Sequence, residues 1–127
     1  MNTTKKHILV VDDDPLIARM YAHKMEIDGY DVDVASNGED ALAFVRKRKP
    51  DLILLDVMMP KMNGVETLKA LKEDGKTKNI PVIILTNLGD KPDDVAQAKK
   101  LGALEYLVKS EIPLKELSEK IKKYTGS

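Results

Sequence analysis

The stretch LILLDVMMP, residues 52–60, decides the fold of this chain. Four aliphatic residues in a row predict a strand that is buried on both faces, as in the middle of a parallel sheet. The run ends on Asp56, and a carboxylate at the end of a buried strand is costly unless a cation or a hydrogen-bond donor pairs with it. Asp56 is therefore the first candidate for a functional residue.

Strand-like runs and amphipathic helical stretches alternate from this point to both ends of the chain. The predicted strands are residues 7–11, 30–35, 52–55, 81–85 and 105–108, and the predicted helices cover about 15–28, 38–47, 65–73, 93–101 and 114–124. This order predicts an α/β fold in which five helices cover both faces of a parallel sheet. Residues 30–35 alternate strictly between polar and apolar types, which indicates an edge strand with one wet face.

The first helix has clear start and stop signals. Asp14 is the predicted N-cap, Pro15 the first helical residue and Gly29 the stop. Apolar spacing places Ile17, Met20 and Tyr21 on its inner face, with Lys24 and Met25 as further candidates. The same spacing predicts inner residues on the second, third and last helices, namely Ala41, Leu42, Val45, Val65, Leu68, Leu71, Leu117, Ile121 and Tyr124.

Composition limits the function classes. A chain of 127 residues that is 43% hydrophobic predicts one domain over residues 1–127, with its core at about 7–124. Equal numbers of acidic and basic residues, 21 each, argue against direct nucleic-acid binding. The absence of cysteine excludes disulfides and thiolate metal sites, and the apolar N-terminal run is too short for a membrane or signal segment. We therefore expect a cytoplasmic protein that does not bind membranes.

The candidate site lies where the predicted strands end, because ligands of open α/β sheets bind outside the carboxyl ends of the strands. The residues at these ends are Asp12, Asp13 and Asp14 after the first strand, Asp56 after the third, Thr86 after the fourth and Lys109 after the fifth. Neighbouring carboxylates repel each other and attract a cation, and oxygen ligands select Mg²⁺ or Mn²⁺. Each residue also has a plain structural reading: a helix cap, a turn hydroxyl or a solvated strand end.

The motifs VVDDD, LLDVMMPKMNG, ILTN and YLVK occur in the order and spacing of a known family. With them, the chain resembles the receiver domain of bacterial two-component response regulators over about residues 7–124. The resemblance implies a flavodoxin-like, five-stranded parallel sheet in the order 2-1-3-4-5. It also implies a signalling protein that catalyses only its own phosphorylation and dephosphorylation, and is not a turnover enzyme.

The resemblance assigns a role to each site residue. Asp56 would accept the phosphoryl group and, with Lys109 and Thr86, carry the catalysis. The implied Mg²⁺ ligands are Asp12, Asp13, Asp56 and the backbone carbonyl of Met58. Lys109 would pair with Asp56 and then with the phosphoryl group, and Thr86 would donate a hydrogen bond to it.

Partners and output follow from the same resemblance. The phosphoryl donor would be a sensor histidine kinase or a phosphotransfer protein. Thr86 would move on phosphorylation and Tyr106 would turn inward, which would change the surface of the fourth helix, fifth strand and fifth helix for a downstream target protein. The expected state is a monomer, with dimerisation of the phosphorylated form left open, and the chain end just after the last helix suggests a freestanding regulator.

Four positions depart from the family pattern or tune it. Ser110 follows Lys109 where most receivers have proline and a cis peptide bond; a cis bond before serine costs about 3 kcal/mol, and the sequence leaves the cis or trans state of this bond open. Asn87 is larger than the usual residue and would narrow access to the phosphoryl group. Met58 and Leu88 occupy positions that tune attack by water, and because both are apolar they predict slow self-dephosphorylation.

Alternatives belong to other classes. A haloacid-dehalogenase-type phosphatase would need a second acid where this chain has Met58, and a flavodoxin would need a phosphate-binding first loop where this chain has three aspartates. The remaining alternative is a receiver-like interaction module that works without phosphorylation.

Overall fold

The computed structural model describes residues 5–57, 62–86 and 92–126, and the side chains of residues 92–95 are left out of the description. Five strands and five helices alternate along these residues. The strands are β1 His7–Val11, β2 Asp31–Ala35, β3 Leu52–Asp56, β4 Val82–Thr86 and β5 Glu105–Val108. The helices are α1 Pro15–Ile27, α2 Gly38–Lys47, α3 Gly64–Glu73, α4 Pro92–Lys100 and α5 Leu114–Thr125.

The strands form one parallel sheet in the order β2-β1-β3-β4-β5, which confirms the implied topology. Every residue of β1, β3 and β4 is buried, because helices cover both faces of these inner strands. The predicted edge strand, β2, lies at an edge, although Tyr30 precedes it. The chain leaves β1 towards β2 on one side and reaches β3 on the other, and such a reversal opens a crevice at the carboxyl ends.

Alternating strand residues divide the core into two layers. The layer under α1 and α5 contains Val10, Leu54 and Leu85, whereas the layer under α2, α3 and α4 contains Val11 and Leu55. Burial of each such side chain contributes roughly 1.5–3 kcal/mol. The two layers therefore hold the sheet rigidly between the helices.

Helix α1 confirms its predicted start and corrects one inner residue. Asp14 Oδ1 accepts hydrogen bonds from the backbone N–H groups of Leu16 and Ile17 at 3.0 and 3.3 Å. The helix ends at Ile27, before Gly29 with its φ of 99°. The prediction for Met20 was wrong, since 44% of it is exposed. Met20 lies 200° around the helix from the buried Ala18 and so faces solvent.

The other helices follow the predicted pattern with small shifts. In α5, Leu117 and Ile121 are fully buried as predicted, but Thr125 is buried where Tyr124 was expected, and Tyr124 is half-buried. Tyr124 instead donates a hydrogen bond from its hydroxyl to Glu105 at 2.5 Å. A tyrosine at the end of a helix can keep its ring on the core and its hydroxyl on a polar partner.

Candidate functional site

Two buried carboxylates lie side by side at the carboxyl edge of the sheet. Asp56 is the last residue of β3, and Asp12 directly follows β1, whose Val11 pairs with Leu55 in the ladder. Each of these aspartates is only 4% exposed. The parallel register of two adjacent strands therefore brings together acids that are far apart in the sequence.

Asp13 completes a cluster of three acids. One carboxylate oxygen from each of Asp12, Asp13 and Asp56 lies within 4.8 Å of the others. Asp13 is exposed, so the cluster opens to solvent on its side. Three oxygen donors, two of them buried, match the ligand type that Mg²⁺ and Mn²⁺ select, so the donor set fits the predicted metal.

Lys109 supplies a positive charge to this cluster. Its Nζ donates a hydrogen bond to Asp12 Oδ2 at 2.6 Å and lies 3.5 Å from Asp56 Oδ2. Burial by itself would lower the pKa of Lys109, but the hydrogen bond to Asp12 and the negative charges of Asp56 and Asp12 outweigh it and raise this pKa above its ordinary value. Lys109 therefore stays protonated, and in this state it is closer to Asp12 than to Asp56, its implied partner.

Backbone contacts fix the positions of these side chains. The N–H of Lys109 donates to the carbonyl oxygen of Thr86 at 2.6 Å, which ties the exit of β5 to the end of β4. The peptide bond from Lys109 to Ser110 is trans, which answers a question that the sequence left open. Asp12 Oδ1 accepts a hydrogen bond from the N–H of Asp14 at 3.0 Å, which orients the Asp12 carboxylate.

Strand alternation assigns the site residues to the two faces of the sheet. Asp12, Asp56 and Lys109 each follow by two positions a residue of the α1 and α5 layer, so they belong to that face. Thr86 follows Ile84 of the opposite layer by two positions, and it is 1% exposed. Thr86 therefore lies at the same carboxyl edge as Asp12, Asp56 and Lys109, but on the opposite face of the sheet.

Tyr106 also lies on the opposite face. It pairs in register with Ile84, is half-buried, and packs against the layer under α2, α3 and α4. Tyr106 and Thr86 therefore share one face of the sheet, and the switch between them stays a prediction from the sequence.

Sequence reasoning placed Tyr21 in the core but missed its electrostatic link to the site. Tyr21 is 4% exposed in the layer beneath Asp12 and Asp56. Burial raises its pKa, the charge of Lys109 opposes this rise, and the charges of Asp12 and Asp56 add to it. The helical spacing of apolar residues cannot indicate such a link, because the link depends on how α1 packs on the sheet.

Gly64 is a second residue whose role was missed. A Cβ atom at Gly64 would lie 2.2 Å from the backbone oxygen of Asp56 and 2.7 Å from Val57 Cα. The N–H of Gly64 donates to the carbonyl of Val57 at 2.9 Å. The start of α3 thus packs directly on the backbone that carries Asp56, and the glycine in the MNG motif is the signal that could have indicated it.

Three predicted residues, Met58, Asn87 and Leu88, lie outside the described residues. The assignments of a metal-binding carbonyl and of access and rate tuning to them stay predictions from the sequence.

The fold and the cluster of acids match one family. The model of the response regulator receiver domain matches residues 8–122. The chain belongs to this family. Similar curated proteins include "Probable transcriptional regulator ycf27" of Porphyra purpurea, 43% identical over 122 residues, and the phosphate regulon regulatory protein PhoB of Pseudomonas aeruginosa, 42% identical over 117 residues.

These alignments cover 96% and 92% of this receiver domain but only 48% and 50% of the two relatives. The chain therefore spans about half the length of the curated relatives it matches. Among solved structures, the chemotaxis response regulator CheY4 of Vibrio cholerae is similar over 95% of this chain and 99% of its own, with a TM-score of 0.85 and 33% identity. Within the described ranges, no helix of the receiver domain is long and apolar enough to span a bilayer.

Proposed function

We propose that this receiver domain accepts a phosphoryl group on Asp56 from a phosphohistidine donor. The observation that carries the proposal is the geometry around Asp56: a buried carboxylate whose oxygen lies within 4.8 Å of oxygens of Asp12 and Asp13, and 3.5 Å from Lys109 Nζ. Phosphoryl transfer needs an in-line nucleophile and cations that neutralise the transferred oxygens. Asp56 supplies the first and Lys109 part of the second.

In the proposed reaction, an oxygen of Asp56 attacks the phosphorus atom as the phosphorus–nitrogen bond to the donor imidazole breaks. The product is an acyl phosphate on Asp56 and a free imidazole. Asp12, Asp13 and Asp56 would hold Mg²⁺, which neutralises phosphoryl oxygens when it is bound. Lys109 moves from Asp12 towards the new phosphoryl group, and Thr86 donates a hydrogen bond to it.

The signal would be a change of packing on the face that Thr86 and Tyr106 share. A phosphoryl group adds up to about two negative charges, and it shifts an equilibrium only if it interacts differently with two packings. Movement of Thr86 would leave space for Tyr106, which lies on β5 between α4 and α5. A downstream protein would bind this surface. The proposal stops at this step, because the transcriptional regulation named for the relatives belongs to proteins about twice as long.

The test is the intact mass after incubation with acetyl phosphate and Mg²⁺. The wild type should gain one phosphoryl adduct that requires Mg²⁺, and Asp56→Asn should gain none. Asp33→Asn is the matched control, because Asp33 pairs with His7 on β1, outside the cluster. An adduct that persists in Asp56→Asn would contradict the assignment.

The second candidate is an interaction module that does not need phosphorylation. The hydrogen bond between Lys109 and Asp12 favours it, since this ion pair already neutralises one acid of the cluster. If neither acetyl phosphate nor a cognate kinase labels the wild type, while the control acyl phosphate survives handling, this second candidate replaces the first.

A further inference from the structure

Helix α1 exposes a stripe of large side chains. Leu16 is 79%, Met20 44% and Ile27 66% exposed, and the exposed His23 lies between the last two. The spacings of four, three and four residues are those of the contact positions in a coiled coil. We call Leu16, Met20, His23 and Ile27 the outer stripe. It lies opposite the face that α1 buries in the core.

The outer stripe borders a groove between α1 and β2. The groove has a volume of about 830 Å³ and includes the exposed Val34 of β2. Asp12 and Asp13 of the acidic cluster also line this groove. A molecule that covers the outer stripe would therefore also cover one side of the acidic cluster.

The charges beside the outer stripe are self-complementary. Arg19 and Glu26 both line the groove, seven residues apart, so they lie on the same flank of the stripe two helical turns from each other. When two identical helices pack antiparallel about a two-fold axis, identical flanks face each other. Arg19 of the first copy then faces Glu26 of the second copy, and Glu26 of the first copy faces Arg19 of the second. In a parallel pair, the flank with Arg19 and Glu26 would instead face the opposite flank of the second copy, which carries Ile17 and Lys24.

We propose that the outer stripe is a self-association surface on which a second copy of this chain packs α1 against α1 in the antiparallel direction. Leu16 then contacts Ile27 of the second copy, and Met20 contacts its His23. The formal net charge of zero means that overall repulsion does not oppose the pairing. The dimer covers the groove beside Asp12 and Asp13, so it competes with a phosphoryl donor for this side of the site.

The association is weak and reversible. A helix of 13 residues is about 20 Å long, and one such contact buries less than the roughly 1,200–2,000 Å² of a standard stable interface. The histidine in the middle of the stripe weakens it further, because it replaces an apolar contact residue. The dimer should therefore form only at high protein concentration.

Sedimentation of the unphosphorylated chain from about 10 μM to about 1 mM tests the proposal, since this range brackets a weak dissociation constant. The average mass should rise from 14.2 kDa towards twice that value. Arg19→Glu and Glu26→Arg should each weaken association about tenfold, because each creates two like-charge contacts. The double variant should restore it, and His23→Leu should strengthen it.

Arg46→Glu is the matched control for charge and folding, because Arg46 is an exposed arginine on α2, on the other face of the sheet. It should associate like the wild type. A wild type that stays monomeric over the whole range overturns the proposal and leaves the outer stripe to a different protein. A double variant that associates no better than the single ones overturns the antiparallel pairing.

Discussion

The carboxylates at the amino and carboxyl edges of the sheet differ in how they are paired. Near the amino edge, around His7, three acids each have their own donor: Asp33 accepts from His7 Nε2 at 2.7 Å, Asp51 from the His7 backbone N–H at 2.7 Å, and Asp31 from Arg48 at 2.9 Å. At the carboxyl edge, Asp12, Asp13 and Asp56 lie close to one another, and the ammonium group of Lys109 contacts Asp12 and Asp56.

This difference indicates that the acids near the amino edge are structural, whereas those at the carboxyl edge form a binding site. Paired acids stabilise a fold, because each charge has a fixed donor. Among the described residues, the three clustered acids outnumber the one ammonium group in contact with the cluster, and the excess of negative charge favours a bound metal ion over the empty site. Changes at the amino edge should therefore cost stability, whereas removal of a charge from the carboxyl edge should increase it.

The largest expected effect comes from the backbone under the carboxyl edge. Gly64→Ala would place a Cβ atom 2.2 Å from the backbone carbonyl oxygen of Asp56. This overpacking should lower the free energy of unfolding by about 3 kcal/mol. Urea denaturation measures this. Gly75→Ala is the control, since nothing lies within 4 Å of its Cβ position, and it should change little. Equal stabilities of the two variants would contradict the close packing of α3 on Asp56.

A smaller loss is expected at the amino edge. Asp51→Ala removes the acceptor of the His7 N–H and leaves a buried donor without that partner, so the free energy of unfolding should fall by about 2 kcal/mol. Thermal or urea unfolding at neutral pH measures it. A variant as stable as the wild type would show that the hydrogen bond between Asp51 and the His7 N–H does not stabilise the fold. The acids at the two edges would then not differ in their effect on stability.

At the carboxyl edge the sign should reverse. Without metal, Asp13→Asn relieves repulsion among the three acids, so the free energy of unfolding should rise by about 1 kcal/mol. Added Mg²⁺ should then stabilise the wild type through binding to the folded state, and stabilise the variant much less. Unfolding curves with and without Mg²⁺ give both values. A variant that is less stable than the wild type in the absence of metal would contradict the excess of charge.

The smallest effect concerns pH and another amino-edge acid, Glu105 at the start of β5. Burial would raise the pKa of Glu105, but hydrogen bonds from Tyr124 and Lys120 outweigh it and lower this pKa below its ordinary value. Its contribution to stability is therefore complete above the unfolded pKa, near 4.3, and is lost as the pH falls through the lower folded value. Glu105→Gln should be less stable than the wild type at pH 6, and the gap should close as the pH drops below about 4. A gap that is independent of pH would contradict the ionised pairing.

Much of this molecule could be predicted from local pattern. The alternation of apolar runs predicted all ten elements to within a few residues, and the Asp14 cap and Gly29 stop were correct, because caps and periodicity depend on neighbours in the chain. The same pattern was wrong for Met20. A helix with apolar residues on two sides does not show which side the sheet will cover.

The sequence by itself determined the alternating α/β plan, the acids at the strand ends and the family to which they belong. Only the tertiary structure decided that Lys109 donates to Asp12, 97 residues away, more closely than to Asp56. It also decided that Gly64 touches the backbone of Asp56 and that α1 carries the outer stripe. The physical reason is that strand order and register, and the packing of each helix on the sheet, set the contacts between distant residues, whereas sequence spacing sets only local geometry.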